Sequence, residues 1–200
     1  MSDHDDHDHD DSHSHESGDD HQNHHGHHHD HHEHHDHHEH DFEAVSAAIL
    51  TVSSTRTTDD DPAGDAIAAA LHDEGHSVGV RRVVGDDYDE IQTVVSRMAE
   101  RGDIDITITT GGTGVTPDDV TAEAAERLFD KTLPGFGELF RRLSFDEIGT
   151  RVVGTRATAG VVDETPTFCL PGSRNAARLG AESVIVPEAP HLAGLARRDD

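Results

Sequence analysis

The chain has 200 residues, which is enough for one α/β domain with a buried core but not for two full domains. Its formal net charge is −27, and no stripe of basic side chains interrupts the acidity, which excludes nucleic acid as the main partner. The single cysteine excludes a disulfide within the chain. Since no signal-peptide pattern and no apolar run of about 18 residues is found, we expect a cytoplasmic protein with no membrane span.

The first 41 residues differ in composition from the rest of the chain. They hold 18 of the 21 His residues and 14 of the 42 acidic residues, with no Lys or Arg. Such a segment buries too little apolar surface to offset its conformational entropy, so we expect a disordered tail at residues 1–41 and one domain at residues 42–200.

Closely spaced imidazoles in this tail are expected to bind Ni²⁺, Zn²⁺ or Cu²⁺ weakly at many sites. Examples are His27, His28, His29, His31 and His32. The pattern fits a segment that stores or delivers metal, and it also fits a solvated extension that binds no ion in the cell.

The domain at residues 42–200 is acidic in its own right. It contains 28 acidic and 15 basic residues, and Lys131 is the one Lys among those 15. Abundant Asp and Glu with almost no Lys resembles the composition of proteins from salt-loving organisms, where salt screens the repulsion between like charges. The composition therefore predicts a halophilic protein.

Hydrophobic periodicity and breaker residues divide the domain into alternating strands and helices. Strands are predicted at residues 44–52, 78–84, 104–109, 155–160 and 165–170. Helices are predicted at residues 65–74, 88–101, 116–130, 137–143, 171–179 and 183–195. This alternation predicts an α/β fold with a mostly parallel sheet that is flanked by helices on both faces.

Ligands of such sheets bind beyond the carboxyl ends of the strands. The loops that begin at Ser53, Gly85, Gly111 and Pro171 each follow a predicted strand, so we expect them to gather along one edge of the sheet. These four loops are where the sequence places the candidate ligand-binding residues.

Three glycines fall within the segment Gly111-Gly112-Thr113-Gly114, directly after a predicted strand. Glycines let the backbone approach a ligand closely and expose N–H groups that hold phosphate oxygens. The segment lacks the Lys-Ser/Thr ending of a Walker loop and does not have the spacing GxGxxG. Two interpretations remain, a phosphate cradle and a tight turn between a strand and a helix.

Two carboxylates, Asp86 and Asp119, lie in or beside these loops. Asp119 is expected at the third position of a helix capped by Thr116, where a carboxylate stabilises the helix end. Asp86 or Asp87 is expected to cap the helix that follows it. The functional alternative for both carboxylates is Mg²⁺ binding, because Mg²⁺ takes one or two carboxylates together with substrate phosphates.

The remaining candidates are weaker. The junction Pro171-Gly172-Ser173 either holds an anion or simply starts a helix. His72, His76 and His191 have no spacing typical of a metal site and are expected to be surface or packing residues. Cys169 lies in an apolar strand and is expected to be a buried small residue, not a nucleophile.

Several ordered segments of the domain together resemble one family. They are ILTVS at residues 49–53, TTGGTGVTPDD at 109–119, PGFGELFRRLS at 134–144, SFDEIGT at 144–150, RATAG at 156–160 and LPGS at 170–173. On these segments, residues 44 to about 196 resemble the MoaB/Mog proteins of molybdenum and tungsten cofactor biosynthesis. The segments at 134–150 favour the MoaB branch over the Mog branch.

The resemblance implies a three-layer α/β sandwich and a nucleotidyltransferase that moves AMP from Mg-ATP to the terminal phosphate of molybdopterin. It implies catalytic and Mg²⁺-binding roles for Asp86 and Asp119, and a pterin contact for Ser144. It also implies that the loop Gly111 to Gly114 is the phosphate cradle and that the loop Pro171 to Ser173 is a second wall of the pocket. The substrate-binding residues would then be Gly111, Gly112, Thr113, Gly114, Ser144, Pro171, Gly172 and Ser173.

The resemblance also implies a trimer or hexamer of identical chains, and a contact with a downstream metal-insertion protein. There is one departure from the family pattern, because Asp61-Pro62-Ala63-Gly64 stands where many relatives have Asp-x-Ser-Gly. We expect the loss of that serine hydroxyl to remove a ligand contact. A molybdopterin-binding relative without transfer activity is the alternative interpretation.

Overall fold

The computed structural model describes residues 42–197, which contain a sheet with helices on both faces. The strands are β1 Ser46–Val52, β2 Ser77–Val84, β3 Ile106–Thr110, β4 Lys131–Thr132, β5 Thr158–Val162 and β6 Thr165–Leu170. The helices are α1 Pro62–Asp73, α2 Tyr88–Ala99, α3 Thr121–Glu126, α4 Pro134–Ile148, α5 Arg174–Gly180 and α6 Val186–Ala196. A 3₁₀ segment, Gly149–Gly154, follows α4, and a π-helical turn, Ala181–Ile185, joins α5 to α6.

The strand order of the sheet is β2-β1-β3-β6-β5-β4. The first four strands are parallel to one another, whereas β5 is antiparallel to β6 and β4 is antiparallel to β5. The predicted α/β fold, with a mostly parallel sheet between two layers of helices, is confirmed. The antiparallel edge is an addition that the strand pattern did not specify.

The four parallel strands end level with one another. Thr51 pairs with Thr110, Thr110 pairs with Leu170, and Val52 pairs with Val84. Consequently the loops after β1, β2, β3 and β6 leave the sheet along one edge, as the sequence predicts. We call this the carboxyl edge.

Neighbouring side chains of the interior strand β1 enter two separate hydrophobic cores. Ile49 packs on the side of α1 and α4, in a core with Leu71 and Phe140. Leu50 packs on the opposite side, toward α2, in a core with Ile91. All five side chains are at most 1 % exposed. Since burial of apolar surface stabilises a fold by about 25 cal/mol per Å², the two cores hold the strands, and with them the carboxyl edge, in place.

Helix α1 begins three residues earlier than the periodicity predicts. Asp61 caps it, and the Asp61 side chain accepts a 2.9 Å hydrogen bond from the Gly64 amide. Pro62 suits the first helical position because its missing N–H is not needed there. At the other end Gly75 has a φ of +81°, and the helix ends there as predicted.

The predicted helix at residues 116–130 is wrong over its first five and its last four residues, because α3 spans only Thr121–Glu126. Asp119 lies in a turn, where its carboxylate accepts hydrogen bonds from the amide and hydroxyl of Thr116 at 2.8 and 2.6 Å. Helix α3 begins only at Thr121, whose amide donates a 2.9 Å hydrogen bond to the Gly112 carbonyl. Asp119 is therefore not a residue of the first helical turn, and Thr116 caps no helix.

Helix α4 has 15 residues, about twice the length of the helix predicted at residues 137–143. Pro134 starts this helix instead of breaking the chain, and Gly149, with a φ of +57°, ends it. The predicted strand at 155–160 begins only at Thr158. Before it, the Arg156 amide donates at 2.9 Å to the carbonyl of Thr113, not to a neighbouring strand.

The last two predicted helices form one continuous helical stretch from α5 through the π-helical turn to α6. Within residues 42–197, none of the helices is both long enough and apolar enough to span a membrane.

Candidate functional site

The loops at the carboxyl edge surround a cleft of about 580 Å³. Most of the residues singled out in the sequence line this cleft, which brings together segments from four different loops. The lining candidates are Asp86, Gly111, Gly112, Thr113, Gly114, Asp119, Pro171, Gly172 and Ser173. Their grouping follows directly from the level ends of the parallel strands.

Gly111 and Gly112 have backbone conformations that other residues rarely adopt. Their φ angles are +103° and +66°. A Cβ at Gly111 would lie 2.2 Å from the carbonyl oxygen of Val52, and a Cβ at Gly112 would lie 2.1 Å from the hydroxyl of Thr121. Only glycine satisfies both the dihedral angle and the space at these positions, so the segment is held tightly between β1 and α3.

The backbone amides of Gly112 and Thr113 differ from the amide of Gly111 in their hydrogen bonding. Among residues 42–197 neither amide donates a hydrogen bond to a protein acceptor, whereas the Gly111 amide donates to the Leu170 carbonyl at 3.0 Å. The buried Thr113 hydroxyl also has no partner in this part of the chain. Because buried N–H groups normally find an acceptor, two adjacent unsatisfied amides in a cleft have the character of a phosphate cradle.

Arg156 joins the glycine segment to the antiparallel edge of the sheet. Its guanidinium donates 2.6 Å hydrogen bonds to the carbonyls of Gly114 and Asp119, and it forms an ion pair with Glu123. The planar guanidinium group suits several acceptors at once. One side chain therefore fixes both ends of the turn that carries Asp119.

The carboxylate of Asp119 is stabilised in its charged form. Partial burial pushes the pKa of Asp119 upward, but hydrogen bonds from Thr116 and Gly114 and the charge of Arg156 outweigh it. The net result is a pKa below the ordinary value of 3.8. Asp119 is therefore an anion at neutral pH, and it lines the cleft next to the unsatisfied amides.

Asp86 lies after β2 and is not a helix cap. Asp87 caps α2 by accepting a 2.8 Å hydrogen bond from the Glu90 amide, which settles the choice between the two residues. The Asp86 carboxylate instead accepts a hydrogen bond from the hydroxyl of Ser54 in the loop after β1. Because it is not needed to cap a helix, Asp86 is available to a ligand in the cleft.

Ser144 does not line this cleft but a second cavity, of about 750 Å³, beside it. The Ser144 side chain is buried in α4, and its hydroxyl has no hydrogen-bond partner among residues 42–197. Ser173 and Arg174 line both cavities, so the two spaces meet at the start of α5. The structure thus places the candidate residues around two adjoining cavities and not around one.

Two residues beside the cleft were not singled out in the sequence as functional residues. Asp61 is 3 % exposed and accepts hydrogen bonds from the Thr51 hydroxyl at 2.7 Å and from Arg81 at 3.1 Å. Its position directly before Pro62 is a cap pattern that sequence reasoning can recognise. Arg156 offers no such signal, since its acceptors lie 37 and 42 residues away along the chain.

Ala63, at the position where the family pattern implies a serine, lines the cleft. The departure noted in the sequence therefore falls at the site itself. A hydroxyl is absent there, and the neighbouring polar groups of the loop, such as Asp61, are already engaged with protein partners.

The other candidate residues either are buried in packing positions or lie outside the described residues. His76 is buried, and its ring accepts a hydrogen bond from the Val45 amide at 3.4 Å. Burial raises the pKa of the Cys169 thiol to about 12, which fits a packing residue. The histidines of the tail, including 27–29 and 31–32, lie outside residues 42–197.

The known proteins that are similar to this chain in sequence or in structure point to one family. The family described as "probable molybdopterin binding domain" matches residues 48–191. The chain is 44% identical over 151 residues to molybdenum cofactor biosynthesis protein B of Halalkalibacterium halodurans, covering 75% of this chain and 89% of that protein.

Solved structures agree with the sequence match. A crystal structure of molybdenum cofactor biosynthesis protein B has a TM-score of 0.75 and 39% identity, covering 78% of this chain and 98% of that one. The tungsten cofactor synthesizing protein MoaB from Pyrococcus furiosus has a TM-score of 0.68 and 36% identity, again covering 78% and 98%.

The chain therefore belongs to the MoaB-type molybdenum cofactor biosynthesis proteins, within the family of molybdopterin-binding domains. The resemblance stated from the sequence segments is confirmed, as is the three-layer fold that it implies.

Proposed function

We propose that this protein is a molybdopterin adenylyltransferase, which transfers AMP from Mg-ATP to the terminal phosphate of molybdopterin. The observation that carries the proposal is the pair of adjoining cavities. One contains unsatisfied amides and two carboxylates, Asp86 and Asp119, and the other contains the unpartnered hydroxyl of Ser144. A transfer between two substrates needs two such spaces in contact.

In the proposed reaction a phosphate oxygen of molybdopterin attacks the α-phosphorus of ATP. A new O–P bond forms, the bond from the α-phosphorus to the bridging oxygen of the β-phosphate breaks, and pyrophosphate leaves with that electron pair. The attacking oxygen is already anionic at neutral pH, so no residue needs to remove a proton. The protein must instead hold two anions close together in the right orientation.

The glycine segment meets the first part of this requirement. The amides of Gly112 and Thr113 have no protein acceptor among residues 42–197, and they lie beside a buried hydroxyl that is also unpartnered. Amides of this kind stabilise phosphate oxygens without reorganising, because Gly111 and Arg156 hold the backbone in position. This arrangement supports binding of the ATP phosphates at the cleft.

The donor set of the cleft suits Mg²⁺ brought in with a nucleotide. Within the described residues, no group of three or more His, Cys, Asp or Glu side chains is placed to hold a metal ion by itself. Mg²⁺ commonly takes only one or two carboxylates and fills its remaining positions with phosphate oxygens and water, and Asp86 and Asp119 provide two. When bound, the ion would neutralise charge on the phosphates.

The pterin is proposed to occupy the second cavity. The Ser144 hydroxyl is buried and unsatisfied within residues 42–197, so a polar group of a ligand would give it the partner that it lacks. The proposal covers molybdenum and tungsten cofactors alike, since relatives with both names share the fold.

The test is pyrophosphate release from purified protein, Mg-ATP and molybdopterin, with Asp119→Asn as the variant. Asparagine keeps an acceptor for the Thr116 bonds but removes the charge, so we expect turnover to fall about 100-fold or more while molybdopterin binding persists. Asp118→Asn, a change at the exposed neighbouring carboxylate, is the control and should leave turnover unchanged.

Unchanged turnover in Asp119→Asn would sink the assignment of Asp119. Molybdopterin binding without pyrophosphate release from the unaltered protein would favour the alternative, a molybdopterin-binding protein without transfer activity.

A further inference from the structure

Arg174 stands at the meeting point of the two cavities. It is the first residue of α5 and lines the cleft beside the glycine segment, where Ser173 lies next to it. It also lines the second cavity, which contains Ser144. Apart from Ser173, no other described residue is shared by the linings of both spaces, and Arg174 is the one of the two that carries a charge.

The charge of Arg174 has no partner within residues 42–197. Among the described residues two cationic side chains line the cleft, and the other one, Arg56, is already paired with Asp60 at 3.4 Å. Among residues 42–197 Arg174 has no hydrogen-bond or ion-pair partner, although it borders an acidic hollow lined by Asp59 and Asp65. Its side chain is exposed and able to reorient.

Helix stability does not explain an arginine at this position. The first turn of a helix has the positive end of the helix dipole, where carboxylates are favoured and cations are not. Arg178, one turn further along the same helix, has an ordinary structural role, because it pairs with Glu182 at 3.1 Å. Within residues 42–197 this cation stabilises neither the helix nor a carboxylate, and it lines two cavities, so its position suits an anionic ligand.

We propose that Arg174 bridges the two substrates by donating hydrogen bonds to a phosphate of the nucleotide and to the phosphate of the pterin. This inference rests on the proposed adenylyl transfer. The carboxylates of the cleft repel both phosphates, and the glycine segment lines only the cleft and not the second cavity. Arginine, with five N–H donors in a planar fork, can bind two phosphates at once.

Binding of each substrate measured separately tests the bridge. The probes are an ATP analogue with a methylene group between the α- and β-phosphorus atoms, with Mg²⁺, and molybdopterin alone, each titrated into the full chain. In Arg174→Ala we expect the Kd of both probes to rise about tenfold, which matches the loss of one charge-assisted hydrogen bond to each. Arg174→Lys should restore part of each affinity, because it keeps the charge but not the fork.

Arg178→Ala is the matched control and should leave both Kd values unchanged. A rise in the Kd of only one probe, or of neither, in Arg174→Ala would overturn the bridge. Failure of the proposed function gives a different result, since the unaltered protein would then release no pyrophosphate from Mg-ATP and molybdopterin. Turnover in the unaltered protein with unchanged affinities in Arg174→Ala would reject Arg174 alone.

Discussion

The parallel and antiparallel parts of the sheet contribute to the candidate site in different ways. The parallel strands β2, β1, β3 and β6 end in loops that line the cleft with backbone and with charged side chains such as Asp86 and Asp119. Among the described residues, none from β4, β5 or α4 lines it. The antiparallel side instead supplies Arg156, which holds the turn of Asp119, and Ser144, which lines the second cavity.

The loops after the parallel strands thus supply the residues that line the cleft, whereas Arg156 positions one of those loops without lining the cleft itself. The parallel part places its loops through the register of the strands, which is a property of the whole sheet. The antiparallel part positions one turn through one side chain. Changes in the first part should therefore damage the fold and the site together, and changes in the second should affect the site more selectively.

Gly111→Ala tests the parallel part and should have the largest effect. The variant combines a φ of +103° with a Cβ only 2.2 Å from the Val52 carbonyl oxygen, an atom of the sheet that cannot move aside. We expect the free energy of unfolding to fall by about 3 kcal/mol or more, measured by urea denaturation. Gly102→Ala is the control, because a Cβ there meets nothing within 4 Å, and its stability should stay within about 0.5 kcal/mol.

Equal stability in the two glycine variants would contradict the tight packing inferred for the loop after β3. It would also remove the reason for regarding this loop as rigid before any ligand binds.

The sequence was sufficient to predict that the loops after the parallel strands lie together along one edge of the sheet. Level strand ends bring the loops together whatever their exact contacts, so Asp86, the glycine segment and the 171–173 loop could be assigned to one edge from the strand pattern alone. Ser144 is different, because nothing in its local pattern indicates a ligand. Only the family resemblance singled it out.

The contacts that fix the loop after β3 could not be predicted in this way. The sequence Thr116-Pro117-Asp118-Asp119 fits a helix start and a closed turn equally well. The choice depends on a bond between the Thr121 amide and the Gly112 carbonyl, which only the folded chain defines. Arg156 likewise contacts acceptors that are distant in sequence.

Arg156→Ala tests the antiparallel part and should have the second largest effect. Two hydrogen bonds from a charged group to the carbonyls of Gly114 and Asp119 are lost, together with the pair to Glu123. Because the side chain is 34% exposed, solvent replaces part of these contacts, so we expect a loss of about 2 kcal/mol in the free energy of unfolding.

Kinetic measurements test whether Arg156 acts selectively on the site. If it positions the turn, kcat for pyrophosphate release should fall by more than KM changes, and Arg156→Lys should recover little because it lacks the planar fork. Arg101→Ala, which breaks an exposed pair with Asp103, is the control and should leave kcat unaltered. A stability loss with kcat intact would make Arg156 a structural support and nothing more.

Acid titration of Asp119 is expected to change stability least. It tests the contact between Arg156 of the antiparallel part and the loop after β3 that carries Asp119. Partial burial alone would raise the pKa of Asp119. The hydrogen bonds of Thr116 and Gly114 and the charge of Arg156 outweigh burial, so the net pKa lies below 3.8. Since the fold favours the charged form, the resulting stabilisation is fully present above the ordinary carboxylate pKa of about 4 and is lost as the pH falls through the lowered value. The stability advantage of the unaltered protein over Asp119→Asn should therefore shrink as the pH is lowered below about 4.

The same titration in an Arg156→Ala background divides this pH-dependent stabilisation between the two parts of the sheet. A smaller pH dependence there would assign part of the charge stabilisation to the antiparallel part, whereas an identical dependence would assign all of it to the loop after β3, and Arg156 would then act on the position of Asp119 but not on its charge.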